Sequence, residues 1–324
     1  MRAAFFEQFG PARAVLQVGE IDAPVAGPGQ VLVRLHTSGI NPSDVKKRAG
    51  SFPDLLDKGF VVPNSDGAGV IETVGEGVDA GRIGERVWVY QAQFARRFGT
   101  AAEWLAIDSE RAVPLGADSS FEVGACLGIP AMTAHRCVFA DGDVAGQTLL
   151  VTGGAGRVGH YAVQWASHAG ARVVATASND ADAATCREAG AAHVVNHRDD
   201  DWATALLDFT DGQRVDRIVE VEFGANLPIS LQLLRVGGTI ATYSSTIDAE
   251  PRLPFYQMMY QDVTLRFVIV YAMPEEAKAK AVADIQSARL IHRVAHTLPL
   301  ADIALGNEMI EQGNIRGSVI LNLS

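Results

Sequence analysis

Apolar residues along the chain fall into two rhythms. Up to about Ala125, short β-branched runs at Gln30 to Leu35, Gly69 to Val74, Arg86 to Tyr90 and Glu103 to Ile107 are separated by glycine and proline. That spacing predicts antiparallel, partly barrelled β structure. From Gln147 the pattern becomes strand and helix in alternation, with strands at Thr148 to Thr152, Arg172 to Ala177, His193 to Asn196, Arg217 to Val221 and Thr239 to Tyr243. Such alternation predicts a parallel sheet covered on both faces. After about Thr264 the pattern is mixed: a strand at Leu265 to Val270, a helix from Pro274 to about Ala288 and a last strand at Ser318 to Leu323. This tail is expected to complete the first domain. The expected division is a β-rich domain at 1–125 completed by 264–324, and an alternating strand–helix domain at 126–263.

The join between the first strand and first helix of the alternating part carries the strongest local signal. Thr148 to Val151 runs into Gly153-Gly154-Ala155-Gly156-Arg157-Val158-Gly159, and Gly154, Gly156 and Gly159 complete a GxGxxG motif. Glycines at this spacing serve a tight turn, close backbone approach to a pyrophosphate and close packing of helix on strand. Free amides and the positive end of a helix dipole then face the phosphates. A predicted helix from Val158 to Ala169, closed by Gly170, and the second strand supply the βαβ context the motif needs.

Composition narrows the class. At 324 residues the chain has room for two domains, and 48% apolar with 20% charged residues is the balance of an ordinary globular protein. A net charge of −11 opposes binding to nucleic acid or anionic membranes. The compact basic clusters, Lys46-Lys47-Arg48 and Arg96-Arg97, are expected to be solvated surface charge. Cys126, Cys137 and Cys186 are odd in number and form no CxxC pair, which argues against a disulfide framework or a cysteine-built zinc site. With no signal-peptide pattern and no apolar run of membrane-spanning length, a cytoplasmic setting is expected.

Five motifs in order resemble the medium-chain dehydrogenase/reductase superfamily, and within it the zinc-free quinone oxidoreductase group that includes zeta-crystallin. They are SGINPSD at Ser38 to Asp44, DGAGVIETVG at Asp66 to Gly75, GIPAMTA at Gly128 to Ala134, VAGQTLLV at Val144 to Val151 and VVNHR at Val194 to Arg198. The resemblance implies an α/β chain made of a GroES-like β-rich catalytic domain and a Rossmann domain with a doubly wound parallel sheet. The zinc alcohol dehydrogenases of the same superfamily are a poorer match. Asn41 stands where they place a ligand cysteine, Asn64-Ser65-Asp66 replaces their Gly-His-Glu, and the third ligand position falls near Ile129. Without a Lewis acid, the sensible chemistry is hydride transfer to an already activated acceptor, a quinone or conjugated enone.

The resemblance also implies site residues. Asn41 takes the place of an asparagine near the nicotinamide and is alternatively a turn former before Pro42. Lys46 replaces a tyrosine beside the cofactor and either donates to a developing oxyanion or snorkels at the surface. Thr133 matches a threonine near the nicotinamide. Ala155, Gly156, Arg157, Val158 and Gly159 correspond to the diphosphate loop, with Arg157 in place of a glycine. Asn226, the run Tyr243, Ser244, Ser245 and Thr246, and the run Val268, Ile269, Val270 and Tyr271 occupy family sites near the cofactor or are ordinary strand-end packing. Ser178, His197 and Arg198 favour NADPH, against which Asp180 and Asp182 stand close by, Asp182 where relatives often carry lysine. Phe52, Phe60, Phe94 and Phe98 are candidate pocket aromatics or stray core and surface aromatics. The expectation is an NADPH-dependent reductase of quinones or enones, as a homodimer or homotetramer with Leu265 to Val270 as a seam. The alternatives are a zinc-independent alcohol or enoyl reductase, or a non-catalytic NADPH-binding protein like the lens crystallins.

Overall fold

In the computed structural model, which describes residues 1–323, the chain forms two units. One is residues 1–129 with the segment from 292 onward; the other is Pro130–Ile291. The first begins with the paired strands β1 (Arg2–Phe5) and β2 (Gln17–Glu20), with α1 (Ala12–Val15) between them. It continues through β3 (Gln30–Ile40), α2 (Pro42–Arg48), β4 (Asp66–Val74), β5 (Arg86–Val89), β6 (Trp104–Asp108), β7 (Ala112–Pro114) and α3 (Phe121–Gly124). Along β3, Val31, Val33 and Leu35 are buried while Arg34 is exposed, the period of two that makes a one-sided strand. They pack with Ile71, Val87 and Leu105 from the neighbouring strands.

The second unit runs α4 (Met132–Phe139), β8 (Thr148–Val151), α5 (Arg157–His168), β9 (Arg172–Ala177), α6 (Asp180–Glu188), β10 (His193–Asn196), α7 (Trp202–Phe209), β11 (Val215–Glu220), α8 (Phe223–Leu233), β12 (Leu234–Thr242), α9 (Phe255–Tyr260), β13 (Thr264–Phe267) and α10 (Glu275–Ser287). Its strands form one sheet in the order β10-β9-β8-β11-β12-β13, every pair parallel. The chain winds outward from β8 to β10 and restarts at β11 on the other side of β8, so strand order reverses between β8 and β11. This is the Rossmann arrangement, in which ligands bind outside the carboxyl ends of the strands at that reversal.

The tail then gives β14 (Val294–Pro299), α11 (Ile303–Gln312) and β15 (Ser318–Asn322). β15 pairs antiparallel with β3, and β14 pairs with β15, completing a sheet ordered β14-β15-β3-β4-β5-β7 with β6 also on β3. Neither β14 nor α11 is evident in the sequence. α11 buries Ile303, Gly306, Asn307 and Ile310, a helical stripe partly disguised by its glycine and asparagine.

The domain boundaries differ from the expected ones. Residues 264–291 belong with the nucleotide unit, because β13 adds parallel to β12 as the sixth strand and α10 packs on α4. Sheet membership is decided by a distant partner strand, and local periodicity is blind to it. The expected strand to Val270 also stops at Phe267, and Val270–Ala272 form a 3-10 turn.

Apart from Lys46, the basic clusters are not solvated surface charge. Successive helical residues point about 100° apart, so α2 turns Lys46 outward and Lys47 and Arg48 inward. The Arg48 guanidinium donates to the Gly10 carbonyl, Asn307 Oδ1 and Glu311, tying α2 to α11. Arg96 donates to the Ala106 carbonyl, and Arg97 lies over the Phe60 ring at 4.4 Å. Phe60 in turn packs on Phe5 and Phe98, while Phe52 and Phe94 are exposed. Phe60 and Phe98 are thus structural aromatics.

Candidate active site

The glycine turn is held from below and crowded from three sides. Gly153 adopts φ +62° and donates its N–H to Thr176 Oγ1 at 2.9 Å, while Gly154 N–H donates to the Thr176 carbonyl at 3.0 Å. A Cβ on Gly154 would lie 2.8 Å from Ala175 Cβ and 2.9 Å from Cys186 Sγ. One on Gly159 would lie 2.2 Å from the Gly153 carbonyl oxygen. The turn glycine is therefore Gly153, one residue ahead of the motif as read from sequence. Gly154 allows β8 to pack against β9 and α6, Gly156 caps α5, and Gly159 lets the helix press on the turn. The first turn of α5, with half-buried Arg157 at its opening position, presents backbone amides and positive dipole outward. These features fit a dinucleotide pyrophosphate.

Beside the turn, across the strand-order reversal, Glu220 ends β11 fully buried. Its Oε1 accepts from Thr152 Oγ1, the Glu222 N–H and Asn226 Nδ2, each at 2.8 Å. Sequence reasoning missed Glu220; its signal is an acid at the end of an apolar strand. Asn226 is oriented by this bond. Glu222 accepts from the Thr246 and Ile247 amides, and Ser245 Oγ accepts from the Gly224 N–H at 2.8 Å. The run from Tyr243 to Thr246 is thus fixed to the loop after β11. Val268 N–H donates to the Thr242 carbonyl at 2.8 Å, placing Val268, Ile269, Val270 and Tyr271 just past β13. His197 and Arg198 follow β10 and are exposed, and Ser178 follows β9. All these residues gather at the carboxyl edge of one sheet. Thr133 is buried on α4.

In the β-rich unit the residues that meet are Asn41, Asp66 and Lys47, not Lys46. Asn41 opens α2, and its backbone N–H donates to Asp44 Oδ2 at 2.9 Å. Its Nδ2 donates to Asp66 Oδ2 at 2.8 Å, and the same oxygen accepts from the Ile129 N–H at 2.8 Å. Asp66 Oδ1 is buried without a hydrogen-bond partner and abuts Gly128, where a Cβ would sit 2.1 Å away. Burial, reinforced by the nearby Asp44 carboxylate and opposed by the two hydrogen bonds and Lys47, pushes the Asp66 carboxyl up to about 8. It therefore holds its proton at neutral pH. Lys47 is buried, donates to the Gln93 carbonyl at 3.2 Å, and burial lowers its pKa. Sequence reasoning singled out Lys46 and passed over Lys47, because the two are indistinguishable until the helix has a phase. Asn64 sits at φ +73°, tolerable for asparagine, and donates to Ser38 Oγ at 2.9 Å.

These residues do not fit zinc. Of the three positions compared with the zinc enzymes, Asn41 offers an amide already engaged with Asp66, and Ile129 has no ligating side chain. Among the described residues no three His, Cys, Asp or Glu side chains are grouped to hold a metal, and all three cysteines are buried and outside disulfides. Among the same residues no helix is long and apolar enough to cross a membrane.

A Rossmann unit whose glycine turn suits a pyrophosphate, in one chain with a β-rich unit, defines a dinucleotide-binding protein. Residues 27–129 match the alcohol dehydrogenase GroES-like domain family and residues 158–287 the zinc-binding dehydrogenase family. The chain is similar to the quinone oxidoreductase of Rattus norvegicus, 31% identical over 255 residues that cover 78% of this chain and 76% of the relative. It is 27% identical to a 2-haloacrylate reductase of a Burkholderia species, over 99% of this chain and 98% of the relative. A mycobacterial protein solved in complex with NADPH has the same fold, with a TM-score of 0.86 and 27% identity over the full length of both chains. The protein belongs to the quinone oxidoreductase group of the medium-chain dehydrogenase/reductase superfamily and is an oxidoreductase that uses a nicotinamide cofactor.

Proposed function

We propose that the protein transfers a hydride from NADPH to a quinone or conjugated enone without zinc. The observation that carries this reading is the Asn41–Asp66 pair, an internally hydrogen-bonded amide and carboxyl where a zinc enzyme needs ligands. When bound, the nicotinamide supplies a hydride to an electron-poor carbon, which needs no metal-ionised alcohol. The chain's own contribution is binding and orientation. The first turn of α5 and Arg157 would hold the diphosphate, with Ala155, Gly156, Val158 and Gly159 shaping the approach. Tyr243 to Thr246 and Val268 to Tyr271 would orient the rest of the cofactor. Asn41, its amide aimed by Asp66, would donate its remaining N–H to the acceptor oxygen as negative charge develops there. Thr133 is proposed to lie at the nicotinamide, and exposed Lys46 is assigned no chemical step. His197 and Arg198, at the end of β10, support NADPH over NADH.

Loss of NADPH absorbance on adding 1,2-naphthoquinone, an enone or an acrylate-type acid tests the assignment. Turnover of the quinone or enone is expected. NADPH binding without oxidation of NADPH by any acceptor would overturn it in favour of a crystallin-like binding protein. A conjugated acid as the preferred acceptor is a second reading, supported by the similarity to 2-haloacrylate reductase. A homodimer or homotetramer is supported by the exposed Phe267 and Ile269 at the β13 edge and by Tyr256 and Tyr260 on α9; light scattering would show a monomer if that is wrong. Three buried cysteines outside disulfides support a cytoplasmic setting.

A further inference from the structure

Where the tail of the chain returns to the β-rich unit it encloses a cavity of about 560 Å³. The cavity opens between the segment leading into β14 and the turn that joins α11 to β15, and its polar lining is His292, Arg293, His296, Asn314 and Arg316. Backbone geometry brings these segments together. Gly313 closes α11 at φ +71° and Gly317 turns the chain into β15 at φ +114°, both values that favour glycine. The Ser318 N–H then donates to the Arg293 carbonyl at 2.7 Å, which holds the two arginine-bearing segments side by side.

This lining is cationic and short of acceptors. Among the described residues no acidic side chain lines the cavity, although the chain as a whole carries a net charge of −11. Arg293 Nη1 is buried and has no hydrogen-bond partner among those residues, a costly state for a charged donor. Arg316 Nη1 reaches the Gly313 carbonyl at 3.5 Å, a long hydrogen bond. Burial pushes the His292 imidazole down to about 4, so it is uncharged at neutral pH and can donate or accept. The fixed positive charge is that of two planar guanidinium groups, whose paired N–H bonds match the oxygens of a phosphate or carboxylate. The volume exceeds a water molecule's share, about 30 Å³, many times over and suits a small organic ligand.

We infer that this cavity binds a small organic oxyanion, a phosphate ester or a carboxylate, through Arg293 and Arg316, and that it does so independently of the dinucleotide. Every lining residue falls within 292–316 of the β-rich unit, whereas the glycine turn and the residues gathered beside it lie at the carboxyl edge of the other unit's sheet. A bound oxyanion would satisfy the Arg293 nitrogen and clamp the start of β14 to the start of β15. Val319 of β15 pairs with Ile40, the residue before Asn41, so the clamp bears on the strand that leads into Asn41.

The test is calorimetric titration of the full-length protein with 3-phosphoglycerate and, separately, with citrate, in about 0.15 M NaCl to screen non-specific attraction. At least one is expected to bind with a Kd below roughly 1 mM, and the preferred probe tells whether the site takes phosphate or carboxylate. Arg293→Gln and Arg316→Gln should each weaken that binding roughly tenfold or more, because each removes a charge-assisted pair. Both should leave NADPH affinity within about twofold. If a glutamine variant does not fold, the corresponding lysine variant keeps the charge, loses the planar fork and should still weaken binding by roughly threefold or more. Failure of both probes to bind, or equal binding by the wild type and the variants, overturns the proposal. Loss of probe binding to protein saturated with NADPH overturns it as well, because the arginines would then serve the dinucleotide's own phosphates.

Discussion

Asp66→Asn isolates the buried carboxyl of the β-rich unit. The substitution keeps the shape and one oxygen to accept from Asn41 Nδ2 and the Ile129 N–H, and it removes the titrating group. In the folded protein Asp66 titrates at about 8 rather than 3.8 because it is fully buried. Since the value is raised on folding, the unfolded chain releases this proton before the folded one does. The stability it contributes is complete below pH 4 and is lost as pH rises towards 8. At about 1.4 kcal/mol per pH unit, the whole window is worth up to about 6 kcal/mol, and the accessible part from pH 5 to pH 8 about 4 kcal/mol. Urea unfolding of both proteins at half-unit steps from pH 5 to pH 9 measures it. The wild type should lose stability relative to Asp66→Asn across pH 5 to 8, and the difference should level off above. The variant itself carries a fixed penalty of about 1 to 3 kcal/mol, because its amide N–H takes the unpartnered place of Oδ1. Parallel curves for the two proteins would refute a protonated Asp66, and with it the view that its carboxyl aims Asn41 while uncharged.

Three further outcomes follow from the same geometry. Gly159→Ala drives a Cβ into the Gly153 carbonyl; it should destabilise the protein by about 3 kcal/mol and weaken NADPH binding roughly tenfold or more by displacing the turn, as read by melting and fluorescence titration. Lys47→Ala strands the Gln93 carbonyl and should cost about 2 kcal/mol, whereas Lys46→Ala on the exposed side of α2 should fall within about 0.5 kcal/mol and leave KM unchanged; the reverse order would overturn the assignment of the two lysines. Prolonged dialysis against a chelator, followed by added zinc, should leave quinone turnover unchanged, and restoration of lost activity by zinc would refute the metal-free reading.

The dinucleotide turn was legible because its constraints are local. A glycine is needed where the chain takes a positive φ, where a helix touches a strand or where a backbone meets another, and these needs fall within seven consecutive residues at Gly153 to Gly159. The alternation that makes β8 to β12 was legible for the same reason, since each strand and helix carries its own period. The residue types at Asn41 and Ile129, an amide and a hydrocarbon in place of cysteines, were also readable.

What depended on distant partners was not readable. The sheet took β13 because β12 was there to pair with it, and residues 264–291 went with it into the nucleotide unit. Lys46 and Lys47 are chemically alike, and only the phase of α2 against its packing buries one and exposes the other. Ser178 reads as a phosphate donor until its Oγ is found 2.9 Å from Asp182 Oδ2, to which it donates. Sequence by itself fixed which groups are present and the local turns they impose. Tertiary structure decided which of those groups are desolvated and where each donated proton goes, because burial and hydrogen-bond pairing are properties of neighbours brought together only by folding.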